Sequence, residues 1–206
     1  MPLTLYVATT NPGKVRDFSA ACAAQVNFAS LPGIEAIPAP PEDGPTFAEN
    51  ARSKAIAYSR HAAGLIVLAD DSGLEVDALD GRPGVRSARY AEDAGFISDT
   101  PRKISPDECN NLFLLRNLRG VPAEGRTARY RCALAAAKDG ACIAFAEGSV
   151  EGIILESPQG HGGFGYDPLF YLSSLHCSMA EIGLDEKLLL SHRGQALRAL
   201  LSKLQV

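Results

Sequence analysis

Leu65-Ile66-Val67-Leu68-Ala69-Asp70-Asp71-Ser72-Gly73-Leu74 joins an aliphatic run to two adjacent carboxylates. The run from Leu65 to Ala69 is short, apolar and bounded by Gly64 and Gly73, the pattern of a buried strand. The strand is expected to end at the aspartates, with Ser72-Gly73 turning the backbone. Successive strand side chains point to opposite faces, so one aspartate looks into a site while the other braces the turn. Hard carboxylate oxygens there suit Mg²⁺ and a phosphate-bearing substrate. The same residues also make an ordinary polar turn, because Asp, Ser and Gly are common turn formers.

The neighbouring sequence sets the class of fold. Upstream, Thr46-Phe47-Ala48-Glu49 matches a capping box. The helix it opens is expected to run to about Ala63, with Phe47, Ala51, Lys54, Ala55 and Tyr58 near one face. Lys54 then either snorkels to solvent or reaches the acidic stretch. Downstream, Leu74 to Leu79 alternates as a half-exposed strand. Leu3 to Thr9 is a first strand, Thr10-Asn11-Pro12-Gly13 a tight loop, and Lys14 to about Ala24 a helix. Ser105-Pro106-Asp107-Glu108 starts another helix, with a capping Ser, a Pro in the first turn and Gly120 beyond its end. Its Leu112, Phe113, Leu114, Leu115 and Leu118 make it a packing helix rather than a chemical one. Arg126 to Ala137 and Ala141 to Ala146 flank Asp139-Gly140, a hairpin signal. Strands parted by helices, plus one hairpin, predict an α/β domain with a mixed sheet.

Composition narrows the function. With 206 residues, 46% hydrophobic and 21% charged, the chain can bury a large core as one domain. A net charge of −4 argues against nucleic acid as partner and makes any phosphate site local. Five cysteines (Cys22, Cys109, Cys132, Cys142, Cys177) form no CxxC pair, which suggests free thiols in a reducing compartment. No signal pattern and no membrane-length apolar run is present, so a cytoplasmic protein is expected.

Three further stretches carry chemistry. The strand–loop–helix order around Thr9 to Lys14 sets amide N–H groups and a positive helix end beside Lys14. A solvated turn reads equally well there. The proline-rich stretch from Leu31 to Pro45 is extended and carries Glu42 and Asp43. Asp80 to Tyr90 holds Arg82, Arg86 and Arg89, which meet either phosphate or their acidic neighbours. Glu92 to Ile104 reads as a flexible surface segment. His161 to Phe170 interleaves glycines with Phe164, Tyr166 and Phe170; its rings either stack on a base or anchor the loop. Ser191 caps a last helix through Leu197, Leu200, Leu201 and Leu204, with His192 and Arg193 in its first turn. Cations are disfavoured at that end, so an anion is expected to bind there, with Lys187 near by.

Four of these stretches together resemble one family. They are Ala8 to Lys14; Ala69 to Leu74 running on to Pro83-Gly84-Val85-Arg86-Ser87-Ala88-Arg89-Tyr90; Gly162 to Pro168; and Ser191 to Leu197. In this order they look like the inosine/xanthosine triphosphate pyrophosphatases, the Ham1-like enzymes that clear non-canonical purine nucleotides. The resemblance implies hydrolysis of dITP, ITP or XTP to monophosphate and pyrophosphate, with Mg²⁺, in a homodimer. It also implies a long mixed central sheet flanked by helices, in two lobes with the active-site cleft between them. Asp71 would be the general base and a metal ligand, with Ser72 on the substrate. Thr9, Thr10, Asn11, Pro12, Gly13 and Lys14 would contact phosphates. Phe164, Gly165, Tyr166, Asp167, Lys187, His192 and Arg193 would complete substrate binding, and Lys54 and Asp70 match cleft positions. The family often has a metal-binding Glu three residues before the equivalent of Gly44. Here that position is Pro41, which leaves Glu42 as the nearest acid. The segment from Glu92 to Pro106 is also longer than the family's usual connection.

The residues themselves agree with that chemistry. Lys14, Lys187, Arg193 and Mg²⁺ would spread the charge of a breaking anhydride, and Asp71 would orient or deprotonate the attacking water. Rival readings are a Maf-type pyrophosphatase for modified pyrimidine nucleotides and a nucleotide sensor that binds without turnover.

Overall fold

The expected turn at Ser72-Gly73 is absent: Ile66–Val76 is one continuous 11-residue strand, β3, that carries both aspartates mid-strand. In this computed structural model the described residues are 3–10, 15, 18, 26–98, 100 and 102–205. The other strands are β1 (Leu3–Val7), β2 (Val26–Ser30), β4 (Thr127–Lys138), β5 (Ala141–Ile154), β6 (Phe170–Leu172) and β7 (Cys177–Ser178). They form one sheet of order β2-β1-β3-β4-β5-β6-β7. β1 runs parallel to both β2 and β3, while β5 with β6 and β6 with β7 are antiparallel. The sheet is therefore mixed, in an α/β fold.

Local signals act where they were read. Asp139 and Gly140 both take left-handed φ, 50° and 82°, as a two-residue hairpin turn requires. Asp139 Oδ1 accepts from Gly64 N and Ser59 Oγ from Gly140 N, which ties that turn to the end of helix α1 (Phe47–Ser59). Thr46 and Ser105 accept from the amides of Glu49 and Glu108, capping α1 and α2 (Pro106–Asn117). Helix α3 is Leu184–Leu190; Ser191 caps α4 (His192–Leu204) by accepting from Gly194 N. Of the expected helix from Lys14, only Val15 and Phe18 are described, and both are helical.

The chain divides into two compact units. The first comprises Met1–Ser72, Arg131–Ser149 and Leu188–Val206. Its core joins Leu5, Val7 and Leu68 to Leu134 of β4 and to Leu197 and Leu200 of α4. The second comprises Gly73–Tyr130 and Val150–Lys187, with a core of Leu74, Val76, Leu114, Leu118, Leu169 and Phe170. In that unit the segment after Glu92 is not merely a surface loop. Phe96 packs its ring 4.9 Å from Phe113, and Arg116 lies over it. No helix among the described residues is long and apolar enough to cross a membrane.

Candidate active site

In the first unit, buried charge gathers on β3. Asp71 Oδ2 accepts from Asn50 Nδ2 at 2.9 Å, and Asp71 Oδ1 lies 3.7 Å from Lys54 Nζ. The same ammonium is 3.0 Å from Glu42 Oε2. Lys54 is thus buried rather than snorkelling, and it stands between the two carboxylates. Asn50 also accepts from Gly44 N at 2.8 Å, so one amide side chain holds both Asp71 and the loop that bears Glu42. A Cβ on Gly44 would come within 2.5 Å of Asn50 Oδ1, which is why the loop has glycine there. Burial is the largest influence on the Asp71 carboxyl and raises its pKa above the ordinary value. Lys54 and Asn50 oppose that rise, and Glu42 and Asp70 add to it.

The neighbouring aspartate serves α4. Arg193 Nη2 donates to Ser72 Oγ at 3.1 Å and reaches Asp70 Oδ2 at 3.5 Å. His192 and Arg193 are buried in the first turn of α4, as expected, but the anion beside Arg193 is the protein's own Asp70. That pairing explains how a carboxylate survives inside a strand and a guanidinium at the positive end of a helix. The close approach of α4 to β5 depends on Gly148. A Cβ there would meet His192 O at 2.2 Å and Ala196 N at 2.7 Å. Of the loop expected to contact phosphates, Thr9 and Thr10 follow β1, with Thr10 exposed; Asn11, Pro12, Gly13 and Lys14 lie outside the described residues.

In the second unit, Asp167 is the hub. Its Oδ2 accepts from Phe164 N at 2.8 Å and Lys187 Nζ at 2.6 Å, and its Oδ1 from the Tyr130 hydroxyl at 3.3 Å. Burial pushes the Tyr130 phenol up, so that it stays a donor. Gly163, at φ 75°, leaves room for the Asp167 carboxylate, which a Cβ would meet at 2.1 Å. The two aromatics part company. Phe164 is 55% exposed, with Lys187 Nζ 5.2 Å from its ring centre. Tyr166 is 4% exposed and its hydroxyl donates to Ser87 O at 2.7 Å. Its ring is therefore an anchor and not a platform. Two of the three arginines of the 80–90 loop meet protein partners: Arg86 pairs with Asp93, and Arg82 donates to Leu79 O.

Asn50, Tyr130, Asp107 and Asn111 are not among the site residues expected from sequence. Asn50 had a signal, since it lies four residues before Lys54 on the face with Phe47. Helix α2 is more than packing: Asp107 Oδ2 accepts from Gly165 N, and Asn111 Nδ2 donates to Gly165 O.

The chain is similar to known proteins in sequence and fold. A family model described as the Ham1 family matches residues 5–203. The dITP/XTP pyrophosphatase of Acidobacterium capsulatum is 58% identical over 205 residues, 99% of each chain. That of Geobacter sulfurreducens is 46% identical, covering 95% of this chain and 94% of its own. The solved Staphylococcus aureus Ham1 protein superimposes with a TM-score of 0.80 at 33% identity, over 98% of both chains. A HAM1 protein from Coxiella burnetii gives 0.77 at 36% identity, again over 98% of both. Sequence and fold agree along nearly the whole length, and the chain belongs to the Ham1 family.

Proposed function

We propose that this chain hydrolyses non-canonical purine nucleoside triphosphates, dITP/ITP and XTP/dXTP, to the monophosphate and pyrophosphate, clearing them from the nucleotide pool. The observation that carries the reading is Lys187 paired with Asp167 beside the exposed Phe164. Hypoxanthine and xanthine carry a keto acceptor at position six and an N–H donor beside it. An ammonium and a carboxylate side by side match that edge. Adenine presents an amine and a bare ring nitrogen instead, leaving both protein groups facing their own kind. Phe164 would stack on the base, and the backbone of Gly165 and Tyr166 would shape the pocket floor.

At the triphosphate, Asp71 is the group suited to take the proton of the attacking water. Water oxygen bonds to the α-phosphorus, the bond from that phosphorus to the pyrophosphate oxygen breaks, and pyrophosphate leaves with the electron pair. Lys54, Ser72, His192 and Arg193, with Thr9 to Lys14, would hold the phosphates and spread their charge. Asp71 and Glu42 both face Lys54 Nζ, so two hard oxygens already converge on one cationic point. That set fits Mg²⁺, which takes one or two carboxylates and completes its shell with phosphate and water. Bound there, the ion would neutralise phosphate charge and acidify water. Glu42 would then serve in place of the family's usual Glu, absent at Pro41. Asp70 would act by holding Arg193.

Residues 1–206 would act as one catalytic domain. Family membership supports a nucleotide as partner, and the proposal adds a homodimer in the cytoplasm that binds neither nucleic acid nor membrane. Product analysis tests it. Incubated with ITP and Mg²⁺, the protein is expected to give IMP and pyrophosphate in equal amounts. Preference for dTTP or UTP would favour a Maf-type enzyme, and ITP binding without pyrophosphate would favour a sensor.

A further inference from the structure

We propose that Asn111 and Asp107 are positioning residues for base selection, acting through the backbone of Gly165. The inference rests on the reading of Phe164 to Asp167 as the base site. Asp107 and Asn111 stand one turn apart on the same face of α2. Asp107 Oδ2 accepts from Gly165 N at 2.8 Å, and Asn111 Nδ2 donates to Gly165 O at 2.9 Å. Gly165 sits at φ 60° between Phe164 and Tyr166 and has no side chain, so its two peptide groups are the only handles it offers. Holding both fixes the turn that presents the Phe164 ring on one side and leads to the Asp167 carboxylate on the other.

Asn111 is not explained by packing. It is 9% exposed, and its Oδ1 has no hydrogen-bond partner among the described residues. A buried acceptor left so is a cost that a leucine of similar size would avoid. Leucine is what α2 uses at its core position Leu114. The preceding residue shows the structural use of the same side chain. Asn110 accepts from Ala91 N and donates to Ala88 O, satisfying both ends of its amide. Asn111 satisfies one end only, and that end holds Gly165.

The test compares ITP and ATP hydrolysis by wild type, Asn111→Leu, Asp107→Ala and Asp107→Asn, with melting temperatures. Asn111→Leu removes the orphaned acceptor together with the hydrogen bond to Gly165 O, so its melting temperature is expected to stay near that of wild type. Its KM for ITP should rise by about tenfold, the worth of one lost hydrogen bond, with kcat within about twofold. Its preference for ITP over ATP should shrink correspondingly. Asp107 is exposed, so Asp107→Ala folds and is expected to follow Asn111→Leu. Asp107→Asn keeps an oxygen for Gly165 N and is expected to stay near wild type. Unchanged KM and unchanged base preference in both Asn111→Leu and Asp107→Ala would overturn the inference. So would a defect in Asp107→Asn as large as in Asp107→Ala. A wild type that does not prefer ITP to ATP would instead overturn the base-site reading, and this inference with it.

Discussion

Asp71 is placed at odds with its own comfort. Burial raises its carboxyl pKa, against the pull of Lys54 and Asn50. The folded chain therefore holds that proton more tightly than the unfolded chain does. Such a group favours folding at pH below its unfolded pKa, and the benefit is lost as pH rises through the folded value. Above its folded pKa the ionised Asp71 thus costs stability, a burden typical of a working residue. Asp71→Asn is expected to lower turnover by about 10²–10⁴-fold, the usual worth of a positioned base, while nucleotide binding persists. Its melting temperature near neutrality should match or exceed that of wild type, with the gap closing in acid. Thermal melts and single-turnover assays on the same preparations check both halves. Retained activity would remove Asp71 from the role of base.

Elements are held in register by small features whose loss is predictable. Gly148 lets the first turn of α4 sit against β5, with His192 O only 2.2 Å from where a Cβ would stand. Gly148→Ala must push that turn away. Overpacking of this kind costs about 1–3 kcal/mol. Displacing His192 and Arg193 by about an ångström is expected to lower kcat/KM by about 10²-fold. Gly183→Ala, with nothing within 4 Å of its Cβ, is the control and should change neither. At the start of β4, Asp77 accepts from the Thr127 hydroxyl at 2.6 Å and from the Arg129 guanidinium at 2.9 Å. The Thr127 hydrogen bond is the first cause, and Arg129 the second, of a carboxyl pKa below the ordinary value. A depressed carboxyl contributes stability above its unfolded pKa and loses it as pH falls through the folded one. The site is exposed and screened by solvent, so the contribution is at most about 1 kcal/mol. Asp77→Asn should lower the urea midpoint slightly near neutrality and coincide with wild type in strong acid.

Across the whole molecule, what was legible in the sequence is what a few adjacent residues decide among themselves. Ser105 and Ser191 cap their helices and Asp139-Gly140 turns its hairpin because the acceptors and φ angles involved are local. The turn expected at Ser72-Gly73 failed for the opposite reason. Asp70 and Asp71 stay in strand because their partners come from afar: Arg193 lies 123 residues from Asp70, and Asn50 lies 21 from Asp71. The cations at the start of α4 called for an anion, and only the fold shows that Asp70 supplies one. Tyr166 and Phe164 read alike in sequence and diverge because the Ser87 carbonyl captures one of them. The central claim is that this constellation cleaves deaminated purine triphosphates and spares canonical ones. Pyrophosphate release from ITP and from ATP, each with and without Mg²⁺, tests it most directly. Rapid Mg²⁺-dependent release from ITP with little from ATP is the predicted result, and equal rates on the two nucleotides, or none on ITP, would contradict it.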